Sequence, residues 1–399
     1  MAKNDLLGSI FLVSGTTIGA GMIALPVAAG IYGYGAALFM FISVWFACLV
    51  IAFSMLEANL QHKSGANLIT MIRHTLGLPG EVIGWVSCLL LLYCLIAAYL
   101  SGLGELIRYS LNHFFEVDIQ TTTSVLLVTA IFSLLIFLGI RASEHVNRAL
   151  VLVILLVFLS LVFITVPYVD STGIQVTDFE SPALSLPVIF TSFGYLVIIP
   201  SLRTYLSDDV RSLKIACTVG SLIPLLLYVL WTTVVMGVIP VEGANGLGSI
   251  RESGDPATGI LRALAEVTNN TQVGFIFRLF FFLAIASSLI GVSLGTFDFL
   301  ADGLRKNNSQ YNQLILTALT FAPPLIIVLA FEQAFLSALG YAAIFSAIIF
   351  GIMPAVMPWI GRRKGADSNY KLPGGSATFS LIVMFSVTVI IIELINNNV

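Results

Sequence analysis

The chain has 399 residues and a formal net charge of -3, and it is 58% hydrophobic and only 10% charged, with a mean hydropathy of +1.00. Soluble domains carry roughly a quarter charged residues, so this composition excludes a soluble globular fold and makes membrane lipid the solvent for most of the chain. It leaves no basic surface for nucleic acid and no room for a soluble domain, so the reading is one membrane domain over residues 1–399.

About 20 apolar residues are needed to cross about 30 Å of hydrocarbon as a helix. Eleven such stretches lie between short polar breaks, at 6–31, 35–57, 81–114, 123–140, 147–166, 184–206, 213–239, 273–300, 314–330, 333–359 and 377–394. They are continuously apolar, without the alternation of a transmembrane β-barrel, so the predicted class is all-α.

The first stretch is interrupted at its middle by Ser14-Gly15-Thr16-Thr17-Ile18-Gly19-Ala20-Gly21, with Pro26 following. The same interruption argues against a cleavable leader. Glycines this dense make a poor continuous helix, and unwound backbone at that depth survives only around a protein-lined or water-filled cavity. Gly15 and Gly19 alone would also allow close helix packing.

The sixth stretch is interrupted at Phe190-Thr191-Ser192-Phe193-Gly194-Tyr195, again with a proline, Pro200, shortly after. Breaks at corresponding places in two halves point to a transporter site at the midplane. The expected organisation is two inverted repeats, residues 6–166 and 184–359, with 377–394 as an extra eleventh helix. Freed N–H groups where a half-helix starts carry positive dipole and suit a carboxylate, and freed carbonyls suit an ammonium or a metal cation. A zwitterionic amino acid satisfies both.

An amino terminus inside the cell puts fourteen of the 18 basic residues on the cytoplasmic side, including Lys3, Lys63, Arg141, Arg148, Arg203, Arg305, Lys306 and Arg362. Only Arg108, Arg251, Arg262 and Arg278 fall outside, as the positive-inside rule requires. The outer loops carry Asp178, Glu180, Glu242 and Asp255, and the segment 242–271 is placed to cover an outward mouth. The triplets at Asn269 and Asn307 resemble glycosylation sequons at a level of specificity that carries no function.

The motifs Gly15-Thr16-Thr17-Ile18-Gly19-Ala20-Gly21-Met22 with Leu25-Pro26, Phe190-Thr191-Ser192-Phe193-Gly194, and Val292-Ser293-Leu294-Gly295 with Phe297-Asp298-Phe299 resemble the bacterial hydroxy and aromatic amino acid permeases. The tyrosine-specific members look closest, and the likeness runs over essentially the whole chain. The resemblance implies a LeuT-type five-plus-five inverted repeat with eleven helices, the first and sixth broken, and uptake of tyrosine or tryptophan across the inner membrane. The chain departs from that pattern after Gly194, where it reads Tyr195-Leu196-Val197-Ile198-Ile199-Pro200, implying a more apolar pocket.

Carried onto this sequence, the resemblance assigns the substrate carboxylate to the backbone of Thr16, Thr17, Ile18, Gly19, Ala20 and Gly21. The amino group falls to Thr191, Ser192, Phe193 and Gly194. Phe193, Tyr99 and Tyr341 are candidates for stacking on an aromatic substrate. No organic cofactor is implied, and the coupling ion is a proton or sodium. A sodium site of the LeuT type would use Gly15 and Ile18 with Ala284, Ser287 and Ser288, oxygen ligands that suit a hard cation. A proton would use Asp298, Glu57 or Glu105, because carboxylates in membrane segments are costly and default to function.

No His-Glu-x-x-His, paired aspartates or Gly-x-x-x-x-Gly-Lys loop occurs, which argues against an enzyme and against direct ATP coupling. The four histidines all fall in or beside loops. A channel, a different neutral amino acid and exchange instead of net uptake stay open as alternatives. The oligomeric state does not follow from the sequence.

Overall fold

A computed structural model describes residues 3–138, 140–170, 182–268, 271–304, 310–331, 334–366 and 368–396. Asp178, Glu180, Asn269, Arg305, Lys306 and Asn307, together with the side chains of Lys3, Arg141, His145 and Arg148, lie outside the described residues. Among the described residues eight helices are long and apolar enough to cross a membrane, and a bent pair makes a ninth crossing. Thr121–Phe137 and Leu156–Tyr168 are apolar but shorter.

The first crossing is two helices, α1 (Lys3–Thr17) and α2 (Gly21–Ala29), bent by 58° at the break. The α-helical ladder ends with Ile18 N–H donating to Ser14 O at 2.9 Å. It resumes through tighter bonds, Met22 N–H to Gly19 O and Ile23 N–H to Ala20 O, each 3.1 Å. Such i to i−3 bonds are the usual way a helix end tightens where the regular partners run out. After α3 (Tyr34–Leu60) comes α4 (Leu68–Phe115), longer than the expected third span. Gly77, at φ 72, interrupts it. The left-handed glycine ends one helix, and Pro79, which needs no N–H partner in a first turn, starts the next.

Then follow α5 (Thr121–Phe137) and α6 (Ile140–Thr165). The sixth crossing is again divided, as the sequence implies. α7 (Leu186–Ser192) stops at Phe193, whose backbone leaves the helix at φ -94, ψ 51. A 3-10 turn over Gly194–Ile198 leads into α8 (Ile199–Tyr205), with Pro200 in its first turn.

Beyond α9 (Val210–Val238), the segment expected to cover a mouth folds as α10 (Leu247–Glu252) and α11 (Pro256–Thr268). Both pack on α2. Arg251 secures them there, donating to the Tyr32 hydroxyl at 2.9 Å and lying 5.5 Å from that ring's centroid. The remaining helices are α12 (Thr271–Leu304), α13 (Gln310–Ala330), α14 (Ala334–Ser346), α15 (Met353–Arg363) and α16 (Gly375–Asn396). α14 and α15 join through a π-helical turn, Ala347–Ile352. The inner packing sets α1 on α9, α14 on α4 and α12 on both α4 and α6. An aromatic cluster of Trp231, Phe158, Phe277, Phe280 and Phe281 ties α9, α6 and α12, fixing the walls around the breaks.

Candidate functional site

A cavity of about 380 Å³ opens where the two breaks meet. Its lining includes Gly15, Thr16, Thr17, Ile18, Gly19, Ala20 and Gly21 from the first break and Thr191, Ser192 and Gly194 from the second. Leu91, Leu95 and Tyr99 of α4, Ser287, Ser288 and Gly295 of α12, and Leu339, Ser346 and Phe350 of α14 and its π turn complete it. A Cβ added at Gly15, Gly194, Gly291 or Gly295 would meet nothing within 4 Å, so these glycines face the empty space and create its volume. Along each helix the lining extends from the breaks toward the amino-terminal face, reaching Leu91, Val197, Gly295 and Phe350. On the opposite side of the breaks, α10 and α11 pack on α2.

The breaks are fastened to each other and to α12. Ala20 N–H donates to Ser288 Oγ at 3.1 Å, and Ser288 in turn donates to Ala284 O at 2.9 Å. A Cβ on Gly21 would lie 2.8 Å from Ser192 Oγ, so only glycine allows the two breaks to touch. The Tyr228 hydroxyl lies 2.7 Å from Thr17 O and 2.8 Å from Ser192 O, bridging the last carbonyls of both half-helices. Tyr228 is fully buried in α9. It is a site residue that sequence reading missed, because a lone tyrosine in an apolar helix reads as packing.

The chemistry available in the cavity follows from which polar groups are already used. Thr16, Thr17 and Thr191 donate their hydroxyl protons back to Leu12 O, Val13 O and Pro187 O at 2.8 to 3.0 Å. Only their oxygen lone pairs remain to face a ligand, and lone pairs suit an ammonium or a cation. The N–H groups of Gly19 and Gly21 have no acceptor among the described residues. Both sit at the start of α2, where positive partial charge favours an anion. Among the described residues no charged side chain lines the cavity.

The structure redistributes several sequence-level candidates. Phe193 is buried away from the cavity, edge-on to Tyr228 with ring centroids 5.4 Å apart, because the residue at which the helix unwinds turns its side chain into the core. Tyr341 does not line the cavity either and is 43% exposed on the outer side of α14. The helical period puts it off the face that carries Leu339 and Ser346. Ala284 contributes its carbonyl to Ser288 without lining the space. Gly15, Ile18, Ser287 and Ser288 do converge there.

None of the three carboxylates reaches the cavity. Glu57 is fully buried and receives both Arg362 Nε and Nη2, and also Leu372 N–H, at 2.6 Å each. Glu105 accepts from Thr121 Oγ1 at 2.8 Å in a separate cavity. Asp298 is exposed on α12.

The family model that matches this chain, over residues 2–393, is the tryptophan/tyrosine permease family. The chain belongs to that family. It is 31% identical to "Tyrosine-specific transport system 1" of Haemophilus influenzae, over 97% of this chain and 96% of that protein. It is 30% identical to a "Tryptophan-specific transport protein" of Pseudomonas aeruginosa, over 96% of this chain and 93% of that protein.

Among solved structures it resembles Mhp1, a nucleobase-cation-symport-1 family transporter in a closed conformation with bromovinylhydantoin bound. The TM-score is 0.65 and the identity 14%, over 97% of this chain and 90% of that one. This likeness gives the permease its LeuT-type fold. The protein is therefore a multi-pass membrane transporter of an aromatic amino acid permease family, and not an enzyme.

Proposed function

We propose that this permease imports an aromatic amino acid, with tyrosine the first candidate, across the bacterial inner membrane by ion-driven symport and alternating access. The observation that carries the reading is the pair of N–H groups at Gly19 and Gly21 that have no acceptor among the described residues, set in a cavity where none of the described lining residues is charged. Such a site receives a carboxylate through backbone dipole. The lone pairs of Thr16, Thr17 and Thr191 take the ammonium, and Leu91, Leu95, Tyr99, Leu339 and Phe350 receive the ring. Two relatives, one named tyrosine-specific and one tryptophan-specific, support the aromatic class.

The amino terminus lies in the cytoplasm in this reading, following the basic residues, so the cavity as it stands opens inward. For the coupling ion, four of the five residues of the sodium arrangement meet in the cavity and none of the carboxylates Asp298, Glu57 and Glu105 does. This favours sodium over the proton.

The test is counterflow of labelled tyrosine in liposomes containing the purified protein, against unlabelled amino acids, with sodium present or replaced and at two external pH values. Competition by aromatic amino acids and dependence on sodium are expected. Dependence on pH alone would move coupling to a proton. No exchange of tyrosine or tryptophan, with exchange of a neutral aliphatic amino acid instead, would overturn the substrate.

A further inference from the structure

On the face opposite the mouth of the central cavity lies a second, larger one of about 530 Å³. It is bounded by α4, the start of α5, the end of α13, Phe335 of α14, and the α10–α11 segment. Its character is the reverse of the central site, because its walls carry full charges of both signs. Glu105 stands on the α4 wall. Asp255, at the start of α11, and Thr258 and Arg262 within it are spaced by three and four residues, which puts them on one helical face.

These charges are not used up on each other. Arg262 lies 5.1 Å over the Tyr109 ring and has no carboxylate within 4 Å among the described residues. Behind the same ring, 5.4 Å from its centroid, is Arg278, which is 8% exposed and whose buried Nε has no acceptor among the described residues. Among the described residues the Asp255 carboxylate is held by its own helix start, through Thr258 N–H at 3.2 Å and the Thr258 hydroxyl. Burial pushes its carboxyl up and the nearby charge of Glu105 pushes the same way, against the Thr258 hydrogen bonds and the charge of Arg262. Glu105 has Thr121 and a loose contact to Arg108 at 3.6 Å. Two carboxylates and the Arg262 guanidinium, which has no carboxylate within 4 Å among the described residues, line one cavity, an arrangement that suits a ligand carrying both charges. Val328, Leu329 and Phe331 supply an apolar wall beside them.

We propose that this cavity is a second binding site for the zwitterionic aromatic amino acid. The ammonium sits between Glu105 and Asp255, the carboxylate at Arg262, and the ring against the Phe331 wall. The inference rests on the amino acid reading of the central site and adds a capture point on the face opposite its mouth. Because Arg262 belongs to α11, Asp255 directly precedes it, and α11 packs on α2, substrate held here bears on the segment that must move for the central site to open.

The test is equilibrium binding of tritiated tyrosine to the full-length protein in nanodiscs, read as moles bound per mole of protein. Wild type is expected to bind two. Arg262→Gln, at an exposed position, is expected to bind one. Gly19→Val, whose Cβ would meet Ser288 Oγ at 2.6 Å, is also expected to bind one, and the double variant none. Val197→Trp, at the exposed mouth of the central cavity, gives a second way to block that site if Gly19→Val folds poorly. One mole bound by wild type, abolished by either central variant and unchanged in Arg262→Gln, would overturn the second site and leave the transport reading standing. No tyrosine bound to any form would overturn both.

Discussion

Replacing Glu57 by Gln separates a structural carboxylate from a proton carrier. Glu57 has no exposed surface, and its two oxygens receive three N–H donors, two from Arg362 and one from Leu372, at 2.6 Å each. Arg362 also donates to Leu372 O at 2.9 Å and lies 4.9 Å over the Phe379 ring, so one ion pair joins α3, α15, the loop before α16 and α16 itself. Breaking a buried pair from one side costs about 3–5 kcal/mol, chiefly because the surviving charge loses its partner. The Arg362 side chain keeps 23% exposure, and Gln still accepts one bond, which brings the expected loss to about 2–3 kcal/mol.

Each kcal/mol moves Tm by about 2–4 °C in chains of 150–250 residues and by less in a longer one, so a fall of about 3–8 °C is expected. The assay is thermal unfolding of the purified protein in detergent at a fixed scan rate, because membrane proteins seldom unfold reversibly. It is paired with tyrosine counterflow and tyrosine accumulation on the surviving folded fraction. Structural Glu57 predicts that the two transport activities fall together with folded protein. An unchanged Tm, with counterflow intact and accumulation lost, would refute this reasoning and make Glu57 the coupling group.

Tyr228→Phe removes the hydroxyl shared by Thr17 O and Ser192 O. Leaving a buried acceptor unpaired costs about 1–3 kcal/mol, and a roughly 5- to 150-fold loss of tyrosine uptake is expected at unchanged expression. Uptake within twofold of wild type would remove Tyr228 from the site. Gly21→Ala places a methyl 2.8 Å from Ser192 Oγ and 3.3 Å from Ser192 Cα. Overpacking of this kind costs about 1–3 kcal/mol, and saturating tyrosine binding is expected to weaken more than Tm falls.

Asp255 gives a pH signature. Its folded carboxyl is raised by burial and by Glu105, against the hydrogen bonds from Thr258 and the charge of Arg262. A raised carboxyl contributes stability that is complete below the ordinary carboxylate range and is lost as pH rises through the folded value. Asp255→Asn keeps the helix cap and should remove that decline. Tm measured from pH 4 to pH 8 should fall less steeply in the variant, and parallel curves would contradict the assignment.

The breaks at 15–21 and 190–195 are legible in the sequence for a physical reason. Glycine, hydroxyl and proline residues inside an apolar stretch are locally poor helix, and in lipid only a cavity makes their freed backbone groups tolerable. The apolar lengths were legible on the same ground, because every backbone group in hydrocarbon must bond within its own helix. By itself, the sequence therefore determined a helical membrane protein with two interrupted crossings.

Only the tertiary structure decided which neighbours those interruptions acquire. Aromatic content named Phe193, Tyr99 and Tyr341 alike, yet only Tyr99 reaches the cavity, since which face of a helix turns inward depends on the packing of its partners. Glu57 and Glu105 look equivalent in sequence, but one is neutralised by Arg362, more than 300 residues away, and the other stands beside an open cavity. The contact of Tyr228 with both breaks, and the face shared by Glu105, Asp255 and Arg262, have no local signature. Each joins groups from separate helices, and that proximity is fixed by helix packing, not by local propensity.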